Sequence, residues 1–482
     1  MKHSARLLAL LAVALLVPQA GCNDPLRVSI PFIVPPGALS DSAALETVRA
    51  GAIGDFAIAY TGDHPDGSGG VGEGVVMYGG LLADEWVNSE TFPTRIEVDA
   101  RTIQVTNADV DLWYRLLHRA RRAAEVAAAR FAAVAPTDPG HAEMLILAGY
   151  TYIFFAETYC SGVPVSKLND DGSITYGQPL TTAELLDTAV ARFDAALAAT
   201  TDADLTSFAS VGKGRALVDR GQFAAATTAV SAVPTAFAYV NEHTENTDRE
   251  NNGAFNGNVT DIRYAAADRE GGNGFPFRFV PDPRTQATLT VTVDPPNPPD
   301  TAKGFDGETP QWNQVRYGER KAPITVATGV EARLIEAEAA LQAGDTGAGG
   351  TFLAALNDPR ANPGDRVYFN PSPAVVGDPV TAPVGVLPDL TTTDITNAGG
   401  AVNLLFAERA RWLWFTAHRL GDLRRLVRAI PQGGYGRAEN TVFPVGPYFK
   451  SGSPPYGTDV NIPVPVTEQN NPNFTACLDR LP

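Results

Sequence analysis

Histidine, cysteine, basic residues and long apolar runs are all scarce in this 482-residue chain, and each scarcity closes off a class of function. The six histidines, His3, His64, His118, His141, His243 and His418, include no HExxH pair and no i, i+4 spacing, so a zinc enzyme is not expected and no metal or other cofactor is called for. Lys and Arg number 37 against 54 Asp and Glu. The net charge of −17 repels nucleic-acid phosphates, and no basic patch offsets it, so no nucleic-acid partner is expected. Past residue 22 no stretch reaches the roughly 18 consecutive apolar residues of a membrane-spanning helix. What remains is a chain with 44% hydrophobic and 19% charged residues, 45 Gly and 37 Pro: loop-rich, but neither disordered throughout nor collagen-like.

The first residues read as an address. Lys2 and Arg6 precede an apolar run over 7–17, and Ala20-Gly21-Cys22 closes it. Such a run rises about 16 Å as helix, against a hydrocarbon core of about 30 Å. Residues 1–21 are therefore expected to be a secretory signal. The Gly-Cys ending resembles a bacterial lipobox, with Gln19 where Leu is usual, and makes Cys22 the expected site of lipidation; a soluble secreted form is the alternative. Residues 22–40 would be the lipidated tether and 41–482 a single domain, its only membrane attachment the lipid. Cys160 and Cys477 are left either to pair or to stay as two buried thiols.

Helix signals dominate the rest. Asn107 caps a stretch to residue 131 with Leu112, Leu116, Ala120, Ala123 and Ala127 on one stripe. Asp138-Pro139 opens a helix over 141–159 that is apolar nearly all round. Thr181-x-x-Glu184 is a capping box ahead of Leu186, Val190, Phe193 and Leu197. Residues 212–233 predict two short Ala-rich helices joined at Arg220-Gly221, and 332–356 repeat the pattern of helix, Gly turn, helix. Residues 401–428 predict one core helix, on whose surface Arg419 and Arg425 can pair with Asp422, while Glu408 can pair with Arg411 or bury against a neighbour. The fold expected is mostly α, an irregular stack of tetratricopeptide-like helical pairs.

One long excursion interrupts that frame. Residues 241–323 have few helix signals and one expected strand at 287–293, yet carry Tyr264, Phe275, Phe277, Phe279, Trp312 and Tyr317, too many aromatics for a disordered loop. The segments 363–388 and 433–465 are similar in composition.

Motifs of catalysis fail on inspection. Gly67-x-Gly69-x-x-Gly72 follows a turn where a dinucleotide fold needs a strand, and Lys213 lacks the flanking residues of a phosphate loop. Asn169-Asp170-Asp171-Gly172 is a turn without calcium-loop spacing. Asp84-Glu85 as a glycosidase pair would need facing carboxylates, and adjacent ones diverge. More promising is the stretch 80–92, where Trp86 and Phe92 sit among short polar groups: ring faces stack on sugars and amides take their hydroxyls. The ligand contacts expected are Trp86, Asn88, Tyr264 and Trp312; the alternative for Trp86 is a plug in the helical stack.

The 401–428 segment also resembles the C-terminal signature of the SusD/RagB family. Glu408-Arg409 leads, and Arg419, Asp422 and Arg425 keep the closing frame, while Thr416-Ala417 replaces the usual Glu-Gly and Trp412 a second acid. Residues 331–338 look like the family's late helical hairpin, and Ile462-Pro463-Val464-Pro465, Glu468 and Asn471-Pro472-Asn473 like its terminal motif. The resemblance implies a structural role for Glu408, Arg409, Arg419, Asp422 and Arg425. It also implies a lipid-anchored outer-membrane protein facing the cell exterior that binds an oligosaccharide or peptide without catalysis and caps a SusC-like TonB-dependent barrel. The alternatives are a helical protein-binding scaffold and a secreted glycosidase.

Overall fold

The computed structural model describes residues 44–63, 72–169, 171–292, 300–362, 368–369, 382–383 and 385–482. The expected signal 1–21, Cys22, nearly all of the Gly67–Gly72 motif, Asp170 and most of 363–388 lie outside them, as does the tether 22–40. The chain divides into units Met1–Leu45 and Glu46–Pro482, and both the helical frame and the excursion belong to the second.

Local signals set the first elements. Helix α1 (Leu45–Thr61) is followed by α2 (Val75–Leu82), buried along its whole length, then strand β1 (Trp86–Asn88) and α3 (Pro93–Asp99). Asn107 caps α4 (Ala108–Val134) by accepting from the Asp109 and Val110 N–H groups. The face that α4 buries is Val110, Trp113, Tyr114, Leu117, Ala120, Ala124 and Phe131, about one residue round from the expected stripe; Leu112, Leu116 and Ala123 are half-buried. Trp113 and Tyr114 decide the rotation, since rings bury the most area and both pack on Tyr159, at 5.1 and 5.2 Å.

Asp138 caps α5 (Pro139–Thr158), and the Thr181–Glu184 capping box opens α6 (Thr182–Ala199). Helix α7 (Ala203–Asp219) starts earlier than residue 212 because Asp202 caps it, and α8 (Phe223–Val230) follows. A Cβ at Gly212 would lie 2.5 Å from the Phe193 ring and one at Gly149 2.7 Å away, so these glycines let α5 and α7 close on α6.

The excursion contains β2 (Ala238–Asn241), β3 (Tyr264–Ala266), β4 (Ala287–Leu289), β5 (Trp312–Gln314) and β6 (Ile324–Thr328). It leaves and returns through one antiparallel neck, Asn241 opposite Ile324 and Ala238 opposite Thr328. Helix α9 (Gly329–Gln342), capped by Thr328, therefore packs directly on α7 and α8, and α10 (Thr351–Ala361) packs on α9. The helical stack from α4 to α10 runs on as though the excursion were an insertion. The fold is mostly α.

Residues 401–428 are not one helix. They form α11 (Ala401–Trp412) and α12 (Arg419–Val427), with Phe415 (φ 56°) and Ala417 (φ 60°) left-handed between them. Remote groups take over the backbone there. Glu85 accepts from the Phe415 N–H at 2.8 Å, Tyr317 donates to the Phe415 carbonyl at 2.9 Å, and Arg215 to that of Ala417 at 2.7 Å. Those bonds offset roughly 1–2 kcal/mol of strain per left-handed residue. Cys160, just past α5, is disulfide-bonded to Cys477 with Cα atoms 6.0 Å apart, which resolves the two readings left open by the sequence.

Candidate functional site

The C-terminal signature residues form a buried ionic layer, not the expected surface pairs. Asp422 takes Arg409 at 2.8 Å and Arg425 at 2.7 Å, and Arg425 also reaches Asp219 and Glu338. Burial alone would raise the Asp422 carboxyl, but the two arginines outweigh it and hold it at about 2. Arg419 does not pair with Asp422; its fork goes to Asp84, beneath β1. Glu408 does both things expected of it, lying 3.5 Å from Arg411 and burying against Arg284 (2.7 Å) and Arg360 (2.8 Å). Since Arg284 belongs to the excursion, the layer ties both β1 and the excursion to the frame.

Of the four expected ligand contacts, three are corrected by burial. Trp86 is fully covered, stacked on Phe415 with centroids 3.6 Å apart, and its Nε1 donates to the Val76 carbonyl. It is the plug. Asn88 is also covered, its Oδ1 accepting from Lys450 Nζ at 2.9 Å. Tyr264, paired with Asn88 across β1 and β3, donates its hydroxyl to Glu73 at 2.5 Å, and burial pushes its phenol well above the ordinary range. A side chain with no exposed surface cannot stack on a sugar.

Trp312 is different. It is partly exposed and lines a cavity of about 570 Å³ with Asp268, Phe277, Arg278, Phe279, Asp282 and Gln286, a size suited to a small ligand. Through the turn at 277–280, Phe277 is buried against Trp414 and Phe279 is left 63% exposed. Each ring is held by an arginine: the Arg278 guanidinium carbon lies 3.9 Å from the Trp312 centroid, and that of Arg269 3.8 Å from Phe279. Asp268 Oδ1 accepts the N–H groups of Arg278 and Phe279, which fixes the turn of the wall. Gln286 Oε1 is buried without a hydrogen-bond partner among the described residues and offers an acceptor. Phe92 and Phe305 are also exposed, outside this lining, with Arg263 packed on both rings.

Residue sets that look catalytic are closed to substrate. Asp84 and Glu85 diverge, one to Arg419 and the other to the Phe415 N–H, and both are buried. Burial pushes the Glu85 carboxyl up to about 8 against the Phe415 bond. Thr416 Oγ1 lies 2.9 Å from His418 Nδ1, whose Nε2 is 3.1 Å from Glu331, an order seen in hydrolases. All three are buried around a chamber of about 10 Å³, room for no more than a water. Among the described residues no group of three His, Cys, Asp or Glu could hold a metal ion, and no helix is long and apolar enough to cross a membrane.

No family model matches the chain, and no curated protein matches it. Solved structures do. A SusD superfamily protein from Parabacteroides distasonis aligns with a TM-score of 0.59 at 10% identity, covering 90% of this chain and 98% of its own. Surface glycan-binding protein A from Bacteroides uniformis gives 0.57 at 12%, with 90% and 99% covered. A laminarin binding SusD-like protein gives 0.52 at 13%, with 91% and 99% covered. The chain has the SusD-like fold.

Proposed function

We propose that this protein is a nutrient-binding lipoprotein of the SusD type, lipidated at Cys22, displayed on the outer membrane and facing the exterior. It captures a glycan at the Trp312–Phe279 cavity and hands it, unaltered, to a TonB-dependent barrel of the SusC type. The observation that carries the reading is the cavity itself: two partly exposed rings and an unpartnered amide oxygen in the wall of the excursion, braced by the buried ionic layer. Ring faces supply stacking area, and Gln286 Oε1 accepts a sugar hydroxyl. The solved relatives named for glycan and laminarin binding support the ligand class.

Calorimetry against a panel of oligosaccharides and peptides tests it. Trp312→Ala and Phe279→Ala should each weaken glycan binding at least tenfold at unchanged melting temperature, with no sugar cleaved. Unchanged affinity in both variants would remove the cavity from the site. Mass spectrometry of the mature N-terminus checks the lipid on Cys22, and co-purification from detergent-solubilised membranes checks the barrel.

A further inference from the structure

The charged residues that line the cavity are Asp268, Asp282 and Arg278. Among the described residues, each carboxylate that lines it is ion-paired. Asp268 is answered by Arg269 at 3.4 Å, and Asp282 by Arg284 at 2.7 Å and Arg411 at 3.3 Å. Glu408 behind them is shared by Arg284, Arg360 and Arg411. Both lining carboxylates thus have arginines of their own, with Arg284 shared between Asp282 and the buried Glu408. Arg278 is the one left over: it lines the cavity and makes no ion pair among the described residues. Its Nε donates to the Ala266 carbonyl at 3.2 Å and its plane lies against Trp312, so the guanidinium is fixed in place while its two terminal nitrogens have no hydrogen-bond partner among the described residues. Burial lowers its pKa; the Asp268 carboxylate nearby opposes this only in part, and the positive charge of Arg269 acts in the same direction as burial.

Building on the proposed glycan site, we infer that the ligand carries a carboxylate, and that Arg278 selects oligosaccharides of the uronic-acid class over neutral ones. A planar guanidinium held edge-on accepts a carboxylate through two parallel hydrogen bonds, a geometry that neutral hydroxyls do not reproduce. The sugar ring that bears the acid is then placed next to Trp312, since the arginine and the indole share one stack. Peptide carboxylates carry the same charge, but Trp312 and Phe279 present flat faces suited to pyranose CH groups.

The test is calorimetry of the full chain with tri-galacturonate, a neutral trisaccharide of the same length and a Glu-rich tripeptide, at 50 and 500 mM salt. Tri-galacturonate should bind at least tenfold tighter than the neutral sugar at low salt, and the gap should narrow at high salt. Arg278→Gln should bring the two sugars within twofold of each other, and Arg278→Lys should restore part of the preference. Should the Gln variant melt early, the salt dependence of the unaltered protein decides. Equal binding of the two sugars, a preference that survives Arg278→Gln, or tighter binding of the peptide overturns the inference. If the neutral sugar binds through Trp312 without any acid preference, the inference alone falls; if neither sugar binds, the proposed function falls with it.

Discussion

Arg419 and Asp84 lie 335 positions apart and meet as a two-pronged ion pair, Nε to Oδ1 at 2.6 Å and Nη2 to Oδ2 at 2.7 Å, with both side chains buried. The pair fastens α12 to the turn that launches β1, and β1 in turn pairs with β3 of the excursion. A helix signature near the C-terminus thus positions a loop near the N-terminus and, through it, one flank of the ligand cavity.

Removing either partner leaves a buried charge alone. Arg419→Ala and Asp84→Ala should each cost about 3–5 kcal/mol of unfolding free energy, and the double variant clearly less than their sum. Urea denaturation measures all three; losses below about 1 kcal/mol would mean the pair does not brace the fold.

Much of the frame was legible because its signals are local: Asn107, Asp138 and the Thr181–Glu184 box each cap the helix they were read to cap. The break inside 401–428 was not, since the groups that replace its helical bonds come from Glu85, Arg215 and Tyr317, far away in sequence. For the site, the excursion and Trp312 were readable from aromatics in a loop too long for a connector. Trp86 and Tyr264 were misplaced because composition marks an aromatic without saying which face of a strand turns inward.

The buried Glu85 sets a pH dependence. Its folded pKa, about 8, exceeds the ordinary 4.5, so the folded protein keeps a proton that the unfolded chain releases. That contribution is fully present below pH 4.5 and is lost as pH rises to about 8. Glu85→Gln keeps an acceptor for the Phe415 N–H without titrating. The stability of the unaltered protein relative to this variant should fall from pH 5 to pH 8 by up to about 1.4 kcal/mol per pH unit. A difference that stays flat across denaturation curves at pH 5, 6.5 and 8 contradicts the assignment.

The Cys160–Cys477 bond closes a loop with a sequence separation of 317 and ties the C-terminal segment to the end of α5. Replacing both cysteines by Ser should cost about 2–5 kcal/mol. The melting temperature should drop to the same value that reductant gives for the unaltered protein; no shift in either would show the bond adds nothing in solution.

Two helical glycines should respond in opposite ways. Gly212→Ala drives a Cβ into Phe193 and should destabilise by about 1–3 kcal/mol. Gly51→Ala meets nothing within 4 Å and should stabilise by about 0.5–1 kcal/mol through better helix propensity. Thermal melts of the two variants separate a packing requirement from a backbone preference.

The most direct measurement is a crystal structure with a bound oligosaccharide. The account predicts a sugar ring in van der Waals contact with Trp312 or Phe279 and a hydroxyl on Gln286 Oε1. Density for the sugar over Phe92 and Phe305, with the Trp312 cavity holding only solvent, would contradict it.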